Sequence, residues 1–224
     1  MQNFLKHRDI SLRNKIMIKI KKSGIFAALF AVSIEAFKEK RRRLNMKELV
    51  ENEIYTILAN EYSKLLLDYV LFSFNEEYCG QKSHKKAVIE AIAVFNARRR
   101  VGNSFEHPYF YVDESKMYCM KYSIKDFFYD NDTWGNREFP YPYMTYWRAF
   151  SEPPYPTPYS KKDFYKINSL LFPVQFRNDL EIFCWNDEFS NYFDDGKDWW
   201  GTALWSVYDK QVKRFVIIGA SLND

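Results

Sequence analysis

The chain has 224 residues, with 20 Phe, 17 Tyr and 6 Trp against 7 Gly, and a formal net charge of +4. A chain of this length buries roughly 70% of the surface its unfolded form would expose, so a core can form without disulfide or metal staples, and the aromatic content excludes a disordered polymer. Three scattered cysteines, Cys79, Cys119 and Cys184, offer neither a disulfide framework nor a C-x-x-C metal pair and point to a reducing, cytoplasmic setting.

The net charge hides an asymmetry. Residues 1–47 carry 13 Lys or Arg and 3 acids, a net +10, which leaves −6 for residues 48–224. The first stretch reads as a basic helical arm and the remainder as one α+β domain. The apolar run Gly24–Ile34 is too short for a membrane span and meets Glu35 at once, and no small-residue cleavage site follows it. Lys19, Lys21, Lys22, Arg41, Arg42 and Arg43 flank this run and are the candidate contacts to nucleic acid, because Lys and Arg dominate binding to phosphates. Solvated helix faces are the plainer reading of the same charges, and attachment of the arm to an anionic membrane surface is a further alternative.

From Met46 to Tyr78, apolar residues such as Leu49, Ile54, Ile57, Leu58, Leu65 and Tyr69 recur at three- and four-residue steps, which predicts a long amphipathic helix or two abutting ones. A second helix is predicted with Ser83 as N-cap, Val88, Ile92 and Phe95 on one face, Arg98, Arg99 and Arg100 in the last turn, and Gly102 after it. Beyond residue 102 the runs become short and aromatic. Tyr109 to Tyr122 reads as a hairpin turning at Asp113 to Lys116, and Leu180 to Trp185 as a strand. Ala203 to Asp209 and Arg214 to Ala220 form a second hairpin through Lys210 to Lys213. Between these groups, Phe139 to Tyr159 holds six of the eight prolines and predicts a long irregular crossing. The expected architecture is α+β, with N-terminal helices over 48–101 followed by an aromatic-rich antiparallel sheet over 102–224.

Chemistry-bearing motifs are sparse. His7, His84 and His107 occupy three unrelated contexts without metal-ligand spacing, and the chain has no phosphate-cradling loop, dinucleotide fingerprint or nucleophile elbow. The expectation is no catalytic residue, no metal and no cofactor. Asp113, Glu114 and Lys116 have the carboxylate and lysine pattern of metal-dependent nucleases, but on a turn where such residues are ordinary. The run Asp194, Asp195, Gly196, Lys197, Asp198 lacks the alternating ligands and distal Glu of a calcium loop.

What stands out instead is an acidic run abutting two tryptophans. Tyr141, Tyr143, Trp147, Asp194, Asp195, Asp198, Trp199 and Trp200 are therefore the candidate partner-binding residues, since Tyr and Trp anchor interfaces and acids steer a basic partner. Filling of the sheet core is the competing reading of the tryptophans. The closing residues, Trp199-Trp200-Gly201, Trp205 to Asp209, Val216 to Ser221 and Asp224, resemble the last hairpin of some bacterial immunity proteins that neutralise toxins. That resemblance implies a small, non-enzymatic cytoplasmic protein that binds a toxin domain directly, often a basic one. The long basic N-terminus departs from the pattern.

Overall fold

The computed structural model describes residues 46–101, 109–128, 144–173, 178–197 and 200–221. All of them belong to one compact unit, Met46–Asp224. The basic arm, and with it Lys19, Lys21, Lys22, Arg41, Arg42 and Arg43, lies outside the described residues.

A six-stranded antiparallel sheet organises the unit in the order β1-β2-β6-β5-β4-β3. Its strands are β1 (Met46–Glu48), β2 (Leu67–Phe74), β3 (Cys119–Tyr122), β4 (Leu180–Trp185), β5 (Ala203–Asp209) and β6 (Arg214–Ala220). The helices are α1 (Glu53–Glu61), α2 (Gln81–Val101), α3 (Ile124–Phe128), α4 (Tyr146–Ser151), α5 (Lys161–Leu171) and the single turn α6 (Asp194–Lys197). The architecture is α+β, as the sequence implies.

Helices cover both faces of the sheet, so its central strands are apolar on both sides. On one face Tyr69, Leu71, Ile182, Trp205, Val207 and Ile218 pack under α1, α3, α4 and α5. On the other, Phe72, Phe74, Trp185, Leu204, Tyr208 and Ile217 meet Val88, Ala91, Ile92 and Phe95 of α2. Neighbours in a strand alternate between these two clusters, as a pleated backbone requires. Gly219 marks a close approach: a Cβ there would lie 2.2 Å from the Tyr192 hydroxyl.

This two-sided burial overturns the long helix expected over Met46 to Tyr78. That stretch is β1, then α1, then β2. The 3–4 spacing is real within α1, which Asn52 caps by accepting from the Ile54 N–H. It continues into Leu65, Tyr69 and Val70 only by coincidence, because a strand buried on both faces has no period-2 signature. The second helix forms where expected but starts at Gln81, after Gly80 at φ +58°. Ser83 is therefore inside its first turn, its hydroxyl accepting from the Cys79 N–H at 2.9 Å. Gly102 lies outside the described residues.

The C-terminal hairpin and the strand Leu180–Trp185 form as predicted. Asp209 Oδ1 accepts from the N–H groups of Gln211 and Val212 and closes the turn, while Lys213 takes a positive φ of 50°. Within the proline-rich crossing, the described part contains α4, capped by the Thr145 hydroxyl. It leads to α5, held by a reciprocal Ser160–Asp163 capping box. Neither helix was apparent in the sequence pattern.

At the outer edge of β2, beyond the end of β1, two side chains take over from a partner strand. The Leu71 N–H donates to the Tyr55 hydroxyl at 2.8 Å, and Arg98 Nη1 donates to the Tyr69 carbonyl at 2.8 Å. Arg98 also pairs with Glu48 at 2.8 Å and lies over the Tyr55 ring. The sheet edge is thus closed by side chains where an unpaired strand would invite another chain. Among the described residues no helix is long and apolar enough to cross a membrane.

Candidate interaction surface

The segment Tyr109–Tyr118 belongs to no strand, which corrects the hairpin expected over Tyr109 to Tyr122. Only its second arm, β3, joins the sheet, and it pairs with β4. The expected turn is a 3₁₀ turn, Glu114–Lys116, capped by Asp113. The first arm finds asparagine side chains in place of a partner strand, and each presents one acceptor and one donor as a peptide group does.

Asn96 on α2 accepts from the Phe110 N–H at 2.8 Å and donates to the Phe110 carbonyl at 2.9 Å. Asn191 accepts from the Tyr111 N–H at 2.8 Å and donates to the Tyr109 carbonyl at 3.2 Å. Asn186 accepts from the Tyr118 N–H and donates to the Lys116 carbonyl, both at 3.0 Å. Successive residues of an extended chain turn their backbone groups to opposite sides, so Asn96 grips one edge of the segment and Asn191 the other. A further backbone bond joins the Asp113 N–H to the Phe189 carbonyl.

The side chains alternate accordingly. Phe110 is buried against the edge of the Tyr192 ring. Tyr109, Tyr111 and Tyr118 stand out at 58%, 54% and 43% exposure, the more unusual because most aromatic rings among the described residues are core. Carboxylates border them: Asp113 and Glu114 on the same segment, Glu188 on the adjoining loop, and Asp194 and Asp195 just after Asn191. Asp113 lies 3.9 Å from Lys116, Glu114 3.3 Å from Lys85 and Asp194 3.7 Å from Lys197.

Between α2 and the sheet lies a serine–histidine pair that invites a catalytic reading. Ser206 Oγ is 2.8 Å from His84 Nδ1, and Trp185 Nε1 donates to the same oxygen at 2.8 Å. His84 Nε2 is 2.9 Å from the Tyr78 hydroxyl, which in turn bonds Glu181. The polarity follows from the ends: an indole N–H only donates, and an ionised carboxylate only accepts. Ser206 therefore donates to His84 Nδ1, His84 Nε2–H to Tyr78, and Tyr78 to Glu181. Ser206 and His84 are both 0% exposed. Burial pulls the His84 pKa down to about 3 against the smaller opposing pull of Glu181. Lys121 and Lys210 flank Glu181 and hold its carboxyl below the usual range against the cost of burial. A neutral imidazole and a hydroxyl sealed under Phe183, Tyr208 and Phe215 brace α2 to the sheet.

Of the partner-binding residues expected from sequence, only Asp194 and Asp195 border this surface among the described residues. Tyr141, Tyr143, Asp198 and Trp199 lie outside the described residues, as do His7, His107 and Asp224. Trp147 and Trp200 are partly buried and pack on the core, and Trp200 Nε1 donates to the Glu152 carbonyl at 2.9 Å. Asp194 and Asp195 are exposed in the first turn of α6. Asp113 accepts from Ser115, which with Lys116 lowers its carboxyl pKa. Among the described residues no three His, Cys, Asp or Glu side chains converge to hold a metal ion.

A cavity of about 200 Å³ lies beside the β2 edge, lined by Leu58, Leu65, Leu67 and Tyr62 with Asp68 and Arg98 at its margin. That is smaller than the roughly 300–1,000 Å³ of ordinary ligand sites. No protein-family model matches the chain, and no curated protein matches it significantly.

Proposed function

We propose that this chain is a non-catalytic protein-binding module whose aromatic and acidic C-terminal half engages another protein. The observation that carries this reading is the row of exposed tyrosines on a backbone clamped by Asn96, Asn186 and Asn191. Interface anchors are rigid aromatic side chains held in place before binding, because ordering them on contact would cost affinity. The resemblance of the C-terminal hairpin to immunity proteins supplies a narrower form of the same reading, a cytoplasmic inhibitor that binds a basic toxin domain. A nucleic-acid partner for the +10 arm is a separate reading, which rests on charge and predicts retention on DNA or RNA that falls steeply with salt.

Site-specific photo-crosslinking in the native host tests the main reading. A crosslinker at position 111 should trap a protein reproducibly, and one at position 165, an exposed tyrosine of α5, should not. Equal trapping at both positions, or none at 111, would refute it.

A further inference from the structure

Resting on that reading, we infer that the partner segment received by the tyrosine row is an extended, Lys- or Arg-rich stretch of polypeptide whose cations lie on Tyr109, Tyr111 and Tyr118. Three features of the surface lead to this chemistry.

The rings are exposed on a backbone that is clamped. Tyr111 is tied only through its backbone, so its 54%-exposed ring offers a face to a cation. The alternation of Tyr109 and Tyr111 about buried Phe110 spaces the two rings two residues apart along an extended chain. That repeat is about 6.4–6.8 Å, the same as between alternate side chains of an extended ligand.

The rim is acidic. Glu188 and Asp195 are exposed and in no ion pair with a described residue, while Glu114 and Asp194 meet half-exposed or exposed lysines and Asp113 meets Lys116 and accepts from Ser115. The backbone bond from Asp113 to Phe189 places Glu188 beside the tyrosine segment, and Asn191 ties the approach to Asp195 to Tyr109 and Tyr111. An aromatic row of this kind could also stack nucleobases, but carboxylates around it repel phosphates and attract ammonium and guanidinium groups.

The same sign extends over residues 48–224, which contain the surface and carry a net −6.

The test uses the full-length chain and a fluorescent ten-residue peptide alternating Arg and Ser, read by anisotropy. A peptide with Glu in place of Arg and a ten-nucleotide single-stranded DNA are the comparisons. The Arg peptide should bind, and Tyr111→Ser should weaken it by about tenfold, the effect of losing one good anchor. Glu188→Gln with Asp195→Asn should weaken it by a similar factor, and Tyr165→Ser should leave it unchanged. Hydrogen–deuterium exchange on the variants must show the fold intact. Equal binding of the Glu peptide, or full Arg-peptide binding by both surface variants, would overturn the inference. Preference for the DNA, lost with Tyr111→Ser, would assign the row to nucleobases and overturn it too. If position 111 crosslinks a protein that the Arg peptide does not displace, the protein-binding reading stands and the basic-partner inference fails. If the Arg peptide binds at the row but nothing crosslinks there, the row prefers cations but the protein-binding reading fails, and the partner-segment inference is overturned with it.

Discussion

Replacing His84 by Gln should remove a large part of the acid sensitivity of this fold. The His84 imidazole is held neutral under the sheet with a pKa of about 3, against 6.5 for an exposed histidine. Above pH 6.5 both the native and the unfolded chain carry a neutral ring, and the group has no effect on the pH dependence. Below it the unfolded chain takes up a proton that the native protein refuses, so stability falls by about 1.4 kcal/mol per pH unit until the native pKa is reached. At pH 4.5 the loss is about 3 kcal/mol, a large share of a typical 5–15 kcal/mol. For a domain of this size that corresponds to a fall in Tm of roughly 5–10 °C. Glu181, Asp113 and Asp163 have lowered pKa values and also lose stability on acidification, but both proteins share them. Gln offers a donor and an acceptor to Ser206 and Tyr78 without a titrating ring. Calorimetry from pH 7 to 4.5 should therefore show a Tm drop several degrees steeper in the parent than in His84→Gln. Parallel curves would show that His84 titrates in the native state, and the buried-brace account would be wrong.

Ser206→Ala removes one hydroxyl but strands the Trp185 indole N–H and His84 Nδ1, so a loss of about 2–4 kcal/mol is expected in urea unfolding. A loss under 1 kcal/mol would mean that the chain of bonds contributes little. Gly219→Ala drives a methyl group into the Tyr192 hydroxyl, which Asp68 holds at 2.8 Å, and should cost at least about 2 kcal/mol; an unchanged midpoint would contradict the packing there. Tyr55→Phe with Arg98→Ala uncovers the Leu71 N–H and the Tyr69 carbonyl at the β2 edge. Light scattering should then show concentration-dependent association absent from the parent, and identical scattering would show that the edge is protected by something else.

Where a signal was local, the sequence was informative. The β5–β6 hairpin was legible because two β-rich runs flank a polar four-residue turn, and α2 because its apolar face repeats through Val88, Ile92 and Phe95. The stretch Leu67–Phe74 was not, since a strand buried on both faces shows neither helical nor alternating polarity, and its apolar residues extended the pattern of α1. The start of α5 carried a readable Ser160–Asp163 box that the surrounding prolines obscured. Arg98 looked like a cation completing a helix dipole, whereas it reaches across to the Tyr69 carbonyl and Glu48. The interaction surface was hidden for another reason. Tyr109, Tyr111 and Tyr118 read as ordinary strand residues, and an asparagine that will clamp a distant backbone looks like one that will cap a turn.

Composition, charge and local periodicity by themselves determined that this is an α+β protein with an aromatic core, a basic front and an acidic remainder. Those properties depend on counts and on neighbours a few residues apart. Which rings are core and which face solvent was decided by tertiary structure alone. The bonds that decide it join Asn96 to Phe110, Asn191 to Tyr109 and Tyr111, and Asn186 to Tyr118, up to 82 residues apart. Trp200 shows the same in reverse, its indole turned inward to a carbonyl 48 residues away.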